Sequence, residues 1–251
     1  MSKAATNAAA LLLAAAAQAC APSTVKVTAA TAPQGAPPPV PKATAYATMQ
    51  PVERYGIAST NEEVALARSA APASISADAD VLVLGKHGYE TAVRGKNGFV
   101  CFVERSWANH FDSPEFWNPR VRAPNCYNGP AVRTVLPPYL QRTEWVLAGV
   151  PRQELIDRTK GALVRKEIVD PEPGSLSYMM SPQGHLSDED GHWHPHVMFF
   201  VPRAAAASSG WGANLKGSPI LALDGDDTYP VTIVFIPVRK WSDGSPGPAA
   251  K

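Results

Sequence analysis

Apolar and polar positions alternate along much of the chain, which predicts short strands with helices between them. Ser59 with Glu62 three residues later forms a capping-box pattern, so a helix is expected to begin there and to end before Pro72. Strands are expected at 81–84, 89–94 and 99–107. Gly-rich and Asn-Gly turns separate these strands, which predicts an antiparallel meander. Residues 99–103 are apolar at every position, which favours a central strand covered on both faces.

The second half of the chain repeats the mixture of helices and strands. Helices are expected over 139–148 and 151–166, and strands over 175–181, 194–201, 220–223 and 231–238. The pattern predicts an α+β fold: an antiparallel sheet of about six or seven strands with three helices packed against it. We expect one domain over residues 55–245, followed by a polar tail at 246–251.

A long segment, residues 109–128, is expected to be a loop because it carries three prolines. It is nevertheless rich in aromatic residues. These rings either plug the loop onto the core or form a ligand platform around His110, Phe111 and Trp117. Because large exposed apolar patches are rare, the plug is the favoured interpretation.

The N-terminus resembles a secretory signal peptide over residues 1–19. Lys3 supplies a positive charge, residues 8–17 form an apolar run, and small residues precede Cys20. The run is too short to span a membrane. Residues 20–54 contain many prolines and little to bury, so they predict a flexible tether. We therefore expect the domain to be exported to the periplasm or the outer envelope.

Cys20 directly follows the predicted cleavage site, an arrangement similar to the lipobox of bacterial lipoproteins. Gln18 and Ala17 depart from the residues that this motif prefers. A lipid anchor on Cys20 and simple secretion therefore remain alternatives at this point.

The charge balance argues against two classes of partner. The chain has 23 basic and 22 acidic residues. The predicted signal peptide removes one basic residue and no acid, so the mature chain is neutral. No basic block stands out either, so we expect no nucleic-acid partner, and membrane contact only through a lipid anchor.

Cys101 and Cys126 are the other two cysteines. Cys101 is expected in a strand and Cys126 in a loop, and an oxidising compartment would permit a disulfide between them. Two separate buried thiols are the alternative, since sequence does not show proximity.

The densest concentration of potential chemistry lies in residues 184–202, which contain four of the six histidines. His192, His194 and His196 alternate, so on an extended backbone they point to one side, about 7 Å apart, and could share a metal ion. Pro195 places them at the start or the edge of a strand, near solvent.

Further ligands could come from His185, Asp188 and Asp190 in the preceding loop. Imidazoles with a carboxylate suit Zn²⁺ or another divalent transition metal, which could activate water for hydrolysis. The alternative is a group of structural histidines that hydrogen-bond a loop at the beginning of a strand.

Resemblance to a family of exported bacterial proteins with no assigned function is carried by three segments: GKNGFVCFVERSW, YMMSPQG and GHWHPHVMFF. The likeness covers most of residues 60–243 and implies one intact exported domain. It implies no activity.

Three functions are therefore compatible with the sequence. The first is a metal- or small-molecule-binding domain that uses the histidines, with or without hydrolysis. The second is a non-catalytic sensor that uses the aromatic loop, and the third is an envelope structural protein. Catalytic residues are not identified.

Overall fold

The computed structural model of the protein describes residues 46–189, 194–206, 208–225 and 228–248. These residues form six α-helices: α1 Thr60–Arg68, α2 Ala73–Ser76, α3 Gly129–Thr134, α4 Leu136–Leu147, α5 Arg152–Val164 and α6 Arg203–Ala206. Two 3₁₀ turns lie at Val52–Tyr55 and Ser106–Ala108. The same residues form eight strands: β1 Asp80–Leu84, β2 Tyr89–Val93, β3 Val100–Glu104, β4 Ala123–Tyr127, β5 Leu176–Met179, β6 His196–Pro202, β7 Leu221–Asp224 and β8 Val231–Pro237.

The α+β class is confirmed. The predicted sheet had about six or seven strands, all antiparallel, whereas the described sheet has eight strands and one parallel pair. The described strands form one eight-stranded sheet in the order β2-β1-β3-β4-β5-β6-β8-β7. Neighbours run antiparallel except β1 and β3, which are parallel. Helices α1, α4 and α5 correspond to the three predicted helices, and α2, α3 and α6 are short additions.

The parallel pair arises because β3 does not pair with β2, as the predicted meander required. The connection after β2 crosses the start of β1 and places β3 on the other side. The backbone N–H groups of Lys96 and Asn97 donate to the carbonyl oxygen of Asp78 at 2.9 and 3.3 Å. A Cβ atom at Gly95 would lie 2.2 Å from that oxygen. Glycine at this position therefore permits the crossing.

The prediction of an unbroken loop over residues 109–128 is wrong, because it contains the buried strand β4. Pro124 in this strand is opposite Val103 of β3. Strand β5 pairs with β4 only at Cys126 and Tyr127. Pro124 thus lies outside the stretch where β4 has two paired neighbours, which is where a missing N–H is tolerated.

The sheet is covered on both faces near its centre. Along β3, Val100 and Phe102 belong to the core cluster beneath α3, α4 and α5, while Cys101 and Val103 belong to a smaller cluster with α1. This alternation follows from the two-residue period of a strand. All five residues of β3 are buried, so the expected central strand is confirmed.

The folded region extends into the segment predicted to be a tether. The Tyr46 hydroxyl donates to a carboxylate oxygen of Asp188 at 2.6 Å, and a 3₁₀ turn forms at Val52–Tyr55. The predicted signal peptide, Cys20 and the rest of residues 1–45 lie outside the described residues. No helix in the described part of the chain is both long and apolar enough to cross a membrane.

Candidate functional site

The candidate site is centred on Glu104, the last residue of β3. By strand alternation Glu104 shares a face with Val100 and Phe102, and so it points toward the α4 side of the sheet. Only 8% of its surface is exposed. Tyr127 of β4 donates its hydroxyl hydrogen to Glu104 Oε1 at 2.8 Å. A carboxyl group therefore lies inside the core with a tyrosine as its partner.

The residue after Glu104 fixes the position of this strand end. Arg105 is fully buried and its guanidinium pairs with Glu63 of α1 at 2.7 Å. Its Nε donates to the carbonyl of Tyr55 at 2.8 Å, and its backbone N–H donates to the Tyr139 hydroxyl at 2.8 Å. These bonds tie the end of β3 to α1, to the 3₁₀ turn and to α4, so Glu104 has a defined position.

Burial raises the pKa of the Glu104 carboxyl to about 7, from an ordinary value of 4.5. Removal from water disfavours the charged form, while the Tyr127 hydrogen bond and the nearby Asn125 amide favour it. The group therefore changes charge near neutral pH. It can donate a hydrogen bond when protonated, and accept a proton or pair with a cation when ionised.

A cavity of about 170 Å³ lies beside Glu104, between the sheet and α4. We call it the Glu104 cavity. Its walls are mostly apolar, and they include Tyr139 and Trp145 of α4 and Met198 of β6. A dry cavity of about 150 Å³ accepts benzene, so this one has room for a molecule slightly larger than benzene.

Buried polar atoms without normal hydrogen bonds line this cavity, which distinguishes it from an ordinary packing defect. Asn125 lines the cavity and is fully buried, yet neither its Nδ2 nor its Oδ1 has a hydrogen bond of normal geometry among the described residues. The buried hydroxyl of Tyr229, which also lines the cavity, is in the same situation. Buried polar groups are almost always paired, so water or a ligand is expected to satisfy these atoms.

A second cavity of about 170 Å³, the His196 cavity, shares Glu104, Ala108, Met179 and Met198 with the first. His196 lines it and is 2% exposed. Its Nδ1 lies 2.6 Å from the carbonyl oxygen of His194, so Nδ1 carries the hydrogen. Burial lowers the pKa of His196 to about 4, and the ring is neutral at physiological pH.

The predicted position at a strand start is confirmed for His196, but its predicted exposure is not. β6 begins at His196 and lies between β5 and β8, so it is an interior strand. His196 points into the core rather than toward solvent. The expectation of an open rim site at His196 is therefore wrong, because the inward face of β6 continues with buried Met198 and Phe200.

The structure describes four members of the predicted metal-ligand set: His185, Asp188, His194 and His196. His192 and Asp190 lie outside the described residues. Among the residues that are described, no three His, Cys, Asp or Glu side chains lie together as a ligand group. His185 Nε2 lies 3.2 Å from Asp188 Oδ1, and Arg120 pairs with the same carboxylate. Metal binding here stays a prediction.

The aromatic loop packs onto the core. Phe111 and Trp117 are each 5% exposed, and Phe116 between them is fully buried. The guanidinium of Arg142 lies 4.3 Å from the centre of the Phe111 ring. The Phe111 and Trp117 rings are buried against the core, so they do not form the predicted ligand platform at the surface. His110, the third residue of that platform, is exposed.

Cys101 and Cys126 form a disulfide. They are opposite each other on the antiparallel pair β3 and β4, and both are fully buried on the α1 side of the sheet. Cys126 was expected in a loop; it lies in β4 instead. The bridge joins two neighbouring central strands on the face opposite the Glu104 cavity.

Sequence reasoning missed Glu104, Asn125, Tyr127 and Tyr229. One signal was available for Glu104, because a strict two-residue period along β3 places its carboxyl on the same face as Val100 and Phe102. No local signal marked Asn125 or Tyr127, since their strand resembles a loop.

Comparison with protein-family models, with curated proteins and with solved structures finds no match to this chain.

Proposed function

We propose that this protein is an exported domain that binds a small, largely apolar organic molecule in the Glu104 cavity. The observation that carries the proposal is the fully buried Asn125 amide, which lines the cavity beside Glu104 and forms no hydrogen bond of normal geometry among the described residues. An unsatisfied buried amide costs stability, and a bound polar group would remove that cost.

The shape and lining of the cavity define the ligand further. Its volume of about 170 Å³ limits the ligand to about the size of a substituted benzene. Mostly apolar walls favour a hydrophobic body. Glu104, Asn125 and the Tyr229 hydroxyl supply a few polar contacts, which is the usual composition of a specific small-molecule site.

Two features support the export part of the proposal. The signal-peptide pattern over residues 1–19 predicts secretion. The Cys101–Cys126 disulfide is typical of an oxidising compartment. A lipid anchor on Cys20 belongs to the same proposal, and the mass of the mature N-terminus tests it: an unmodified Cys20 would contradict the anchor.

Methionine methyl NMR tests the ligand site directly. The protein is labelled at its methionine methyl groups and titrated with benzyl alcohol as the probe. We expect shifts for Met179 and Met198, which line the cavity. Met49 lines a different, open groove and serves as the internal control. Shifts at Met49 alone, or no saturable shift at Met179 and Met198, would contradict the proposal.

Binding of Zn²⁺ or another divalent transition metal by His192, His194 and His196 remains a separate prediction. Metal analysis of the purified protein and of the His194→Ala/His196→Ala variant tests it. An equal metal content in both proteins would remove these histidines as ligands.

A further inference from the structure

We propose that the ligand of the Glu104 cavity is a small organic amine, which binds as a cation beside the ionised carboxylate of Glu104. This inference rests on the proposed function and adds the charge class of the ligand. Three features of the cavity lead to it: its aromatic walls, a buried acid without a basic partner, and an acceptor atom next to that acid.

The walls of the cavity are unusually rich in aromatic rings. Five rings line it: Tyr127, Tyr139, Trp145, Phe200 and Tyr229. The rings of Tyr127 and Phe200 meet at 88° with centres 5.6 Å apart, so they form a corner. Ring faces carry negative electrostatic potential and attract ammonium groups, and cages of such rings are a known solution for binding organic cations.

Glu104 provides the negative charge that such a cation needs. Among the described residues it forms no ion pair, whereas Arg105 next to it is paired with Glu63. A buried carboxylate is normally paired with a positive group. The described protein does not supply that group to Glu104, and an ammonium ion in the cavity would.

Arg142 is the basic residue that lines the cavity, and its positive charge acts on the Tyr229 hydroxyl. Its Nη1 donates to the carbonyls of Trp107 and Asn109 at 3.1 and 3.4 Å. Its guanidinium also lies over the Phe111 ring. These contacts hold the Arg142 guanidinium against the loop.

Asn125 completes the recognition of an ammonium group. Its amide Nδ2 is the atom that faces the Glu104 carboxyl, because an N–H donor lowers the pKa of that group. Its Oδ1 is a buried acceptor without a partner among the described residues. A primary ammonium has three N–H groups, and the side-chain oxygens of Glu104, Asn125 and Tyr229, which all line the cavity, are acceptors for such groups.

Amine binding is coupled to loss of a proton from Glu104, because burial raises the pKa of this group to about 7. The groups that face it do not titrate nearby. Burial raises the pKa values of Tyr127, Tyr139 and Tyr229 above 10, and lowers that of His196 to about 4. Arg105 and Arg142 are cations, and Glu63 is held by Arg105. Amine affinity should therefore rise with pH through the titration of Glu104.

The experiment compares three probes of nearly equal shape: benzylamine, benzyl alcohol and benzoate. Each is titrated into the intact protein at pH 5.5 and 8, with the Met179 and Met198 methyl signals as the readout. We expect benzylamine to bind tightest at pH 8, and its affinity to fall by about tenfold or more at pH 5.5. Calorimetry at pH 5.5 in buffers of different ionisation enthalpy should detect release of the Glu104 proton on benzylamine binding, and at pH 8 it should detect almost none.

Two variants complete the design. Glu104→Gln should bind benzylamine at least about tenfold more weakly at pH 8 and lose the pH dependence; circular dichroism verifies its fold. Glu144→Gln removes an exposed carboxylate of α4 and should behave like the unmodified protein. If Glu104→Gln binds benzylamine as the unmodified protein does, the inference is overturned.

The outcomes separate this inference from the function on which it rests. Tighter binding of benzyl alcohol or benzoate than of benzylamine at pH 8 would overturn the amine class and leave the ligand-binding function standing. Failure of all three probes to shift Met179 and Met198 would overturn both.

Discussion

Two fully buried asparagines show how hydrogen bonding distinguishes a structural residue from a binding residue. Asn118 is satisfied: its Nδ2 donates to Glu115 and Asp188 at 2.5 and 2.9 Å, and its Oδ1 accepts from the Arg120 backbone at 2.8 Å. Asn125 forms no hydrogen bond of normal geometry among the described residues, although its amide lies near the Glu104 carboxyl. The same substitution at these two positions should therefore have opposite effects.

Asn125→Leu should raise the free energy of unfolding by about 1 kcal/mol, because an apolar side chain of similar size replaces an unsatisfied amide. It should also weaken benzyl alcohol binding. Asn118→Leu is the matched control and should cost about 2–3 kcal/mol, since charged and backbone partners lose their bonds. Urea unfolding measures both. Destabilisation of equal size at the two positions would show that Asn125 is an ordinary structural residue.

Glu104 predicts how stability depends on pH. Its folded-state pKa of about 7 lies above the ordinary 4.5, so the folded state holds a proton that the unfolded chain has released. The resulting stabilisation is full below pH 4.5 and is lost as the pH rises through 7. His196 acts in the opposite sense: its pKa of about 4 lies below the ordinary 6.5, so its contribution is lost as the pH falls below 6.5.

In the window from pH 6.5 to 8, comparison of the unmodified protein with Glu104→Gln isolates Glu104, because His196 contributes equally to both. We expect the unfolding free energy of the unmodified protein to fall across this window by about 1 kcal/mol more than that of Glu104→Gln. Glu144→Gln should keep the slope of the unmodified protein. Urea unfolding at the two pH values measures these slopes, and an unchanged slope in Glu104→Gln would assign the titration to another group.

At the scale of elements, the central pair β3 and β4 joins the two layers of the molecule. Its one face carries Glu104 and Asn125 toward α4, and its other face carries Cys101 and Cys126 toward α1. The disulfide holds together the two strands that support the cavity.

Replacing both cysteines with alanine should lower the free energy of unfolding by about 3 kcal/mol, because the bridge closes a loop with a sequence separation of 25. Urea unfolding measures the loss. As a control, a reductant should leave the native protein unchanged, since both cysteines are fully buried. Thiol titration of the denatured, unreduced protein should find at most Cys20; additional thiols would contradict the bridge.

Element types were predictable where the local pattern was strong. The Ser59 cap of α1 is confirmed, with Ser59 Oγ accepting from the Glu62 N–H at 3.2 Å. The predicted strands and the two long helices all occur. β4 was missed because Pro124 and Asn125 are poor strand formers, and pairing with β3 holds this buried segment extended.

At the scale of the whole molecule, the candidate site exists only because distant segments converge. Glu104, Tyr139, Met198 and Tyr229 line one cavity although they span more than half of the described chain. The spacing of these four residues in the sequence does not indicate that they lie together. The local spacing of His192, His194 and His196, by contrast, is visible in the sequence. The histidine segment therefore lies next to the site, because His196 lines the neighbouring cavity, and it is not the centre of the site.

The sequence by itself determined the α+β class, the type of most elements and the expectation of export, because these depend on local periodicity, capping and an N-terminal pattern. Only the tertiary structure decided the strand order, the pairing of Cys101 with Cys126 and the burial of His196. It also created the environment of Glu104. Desolvation and unsatisfied hydrogen bonds depend on surroundings that residues far apart in sequence build together. In the sequence Glu104 resembles an ordinary acidic residue at the end of a strand. In the folded protein it is buried and its pKa is raised to about 7.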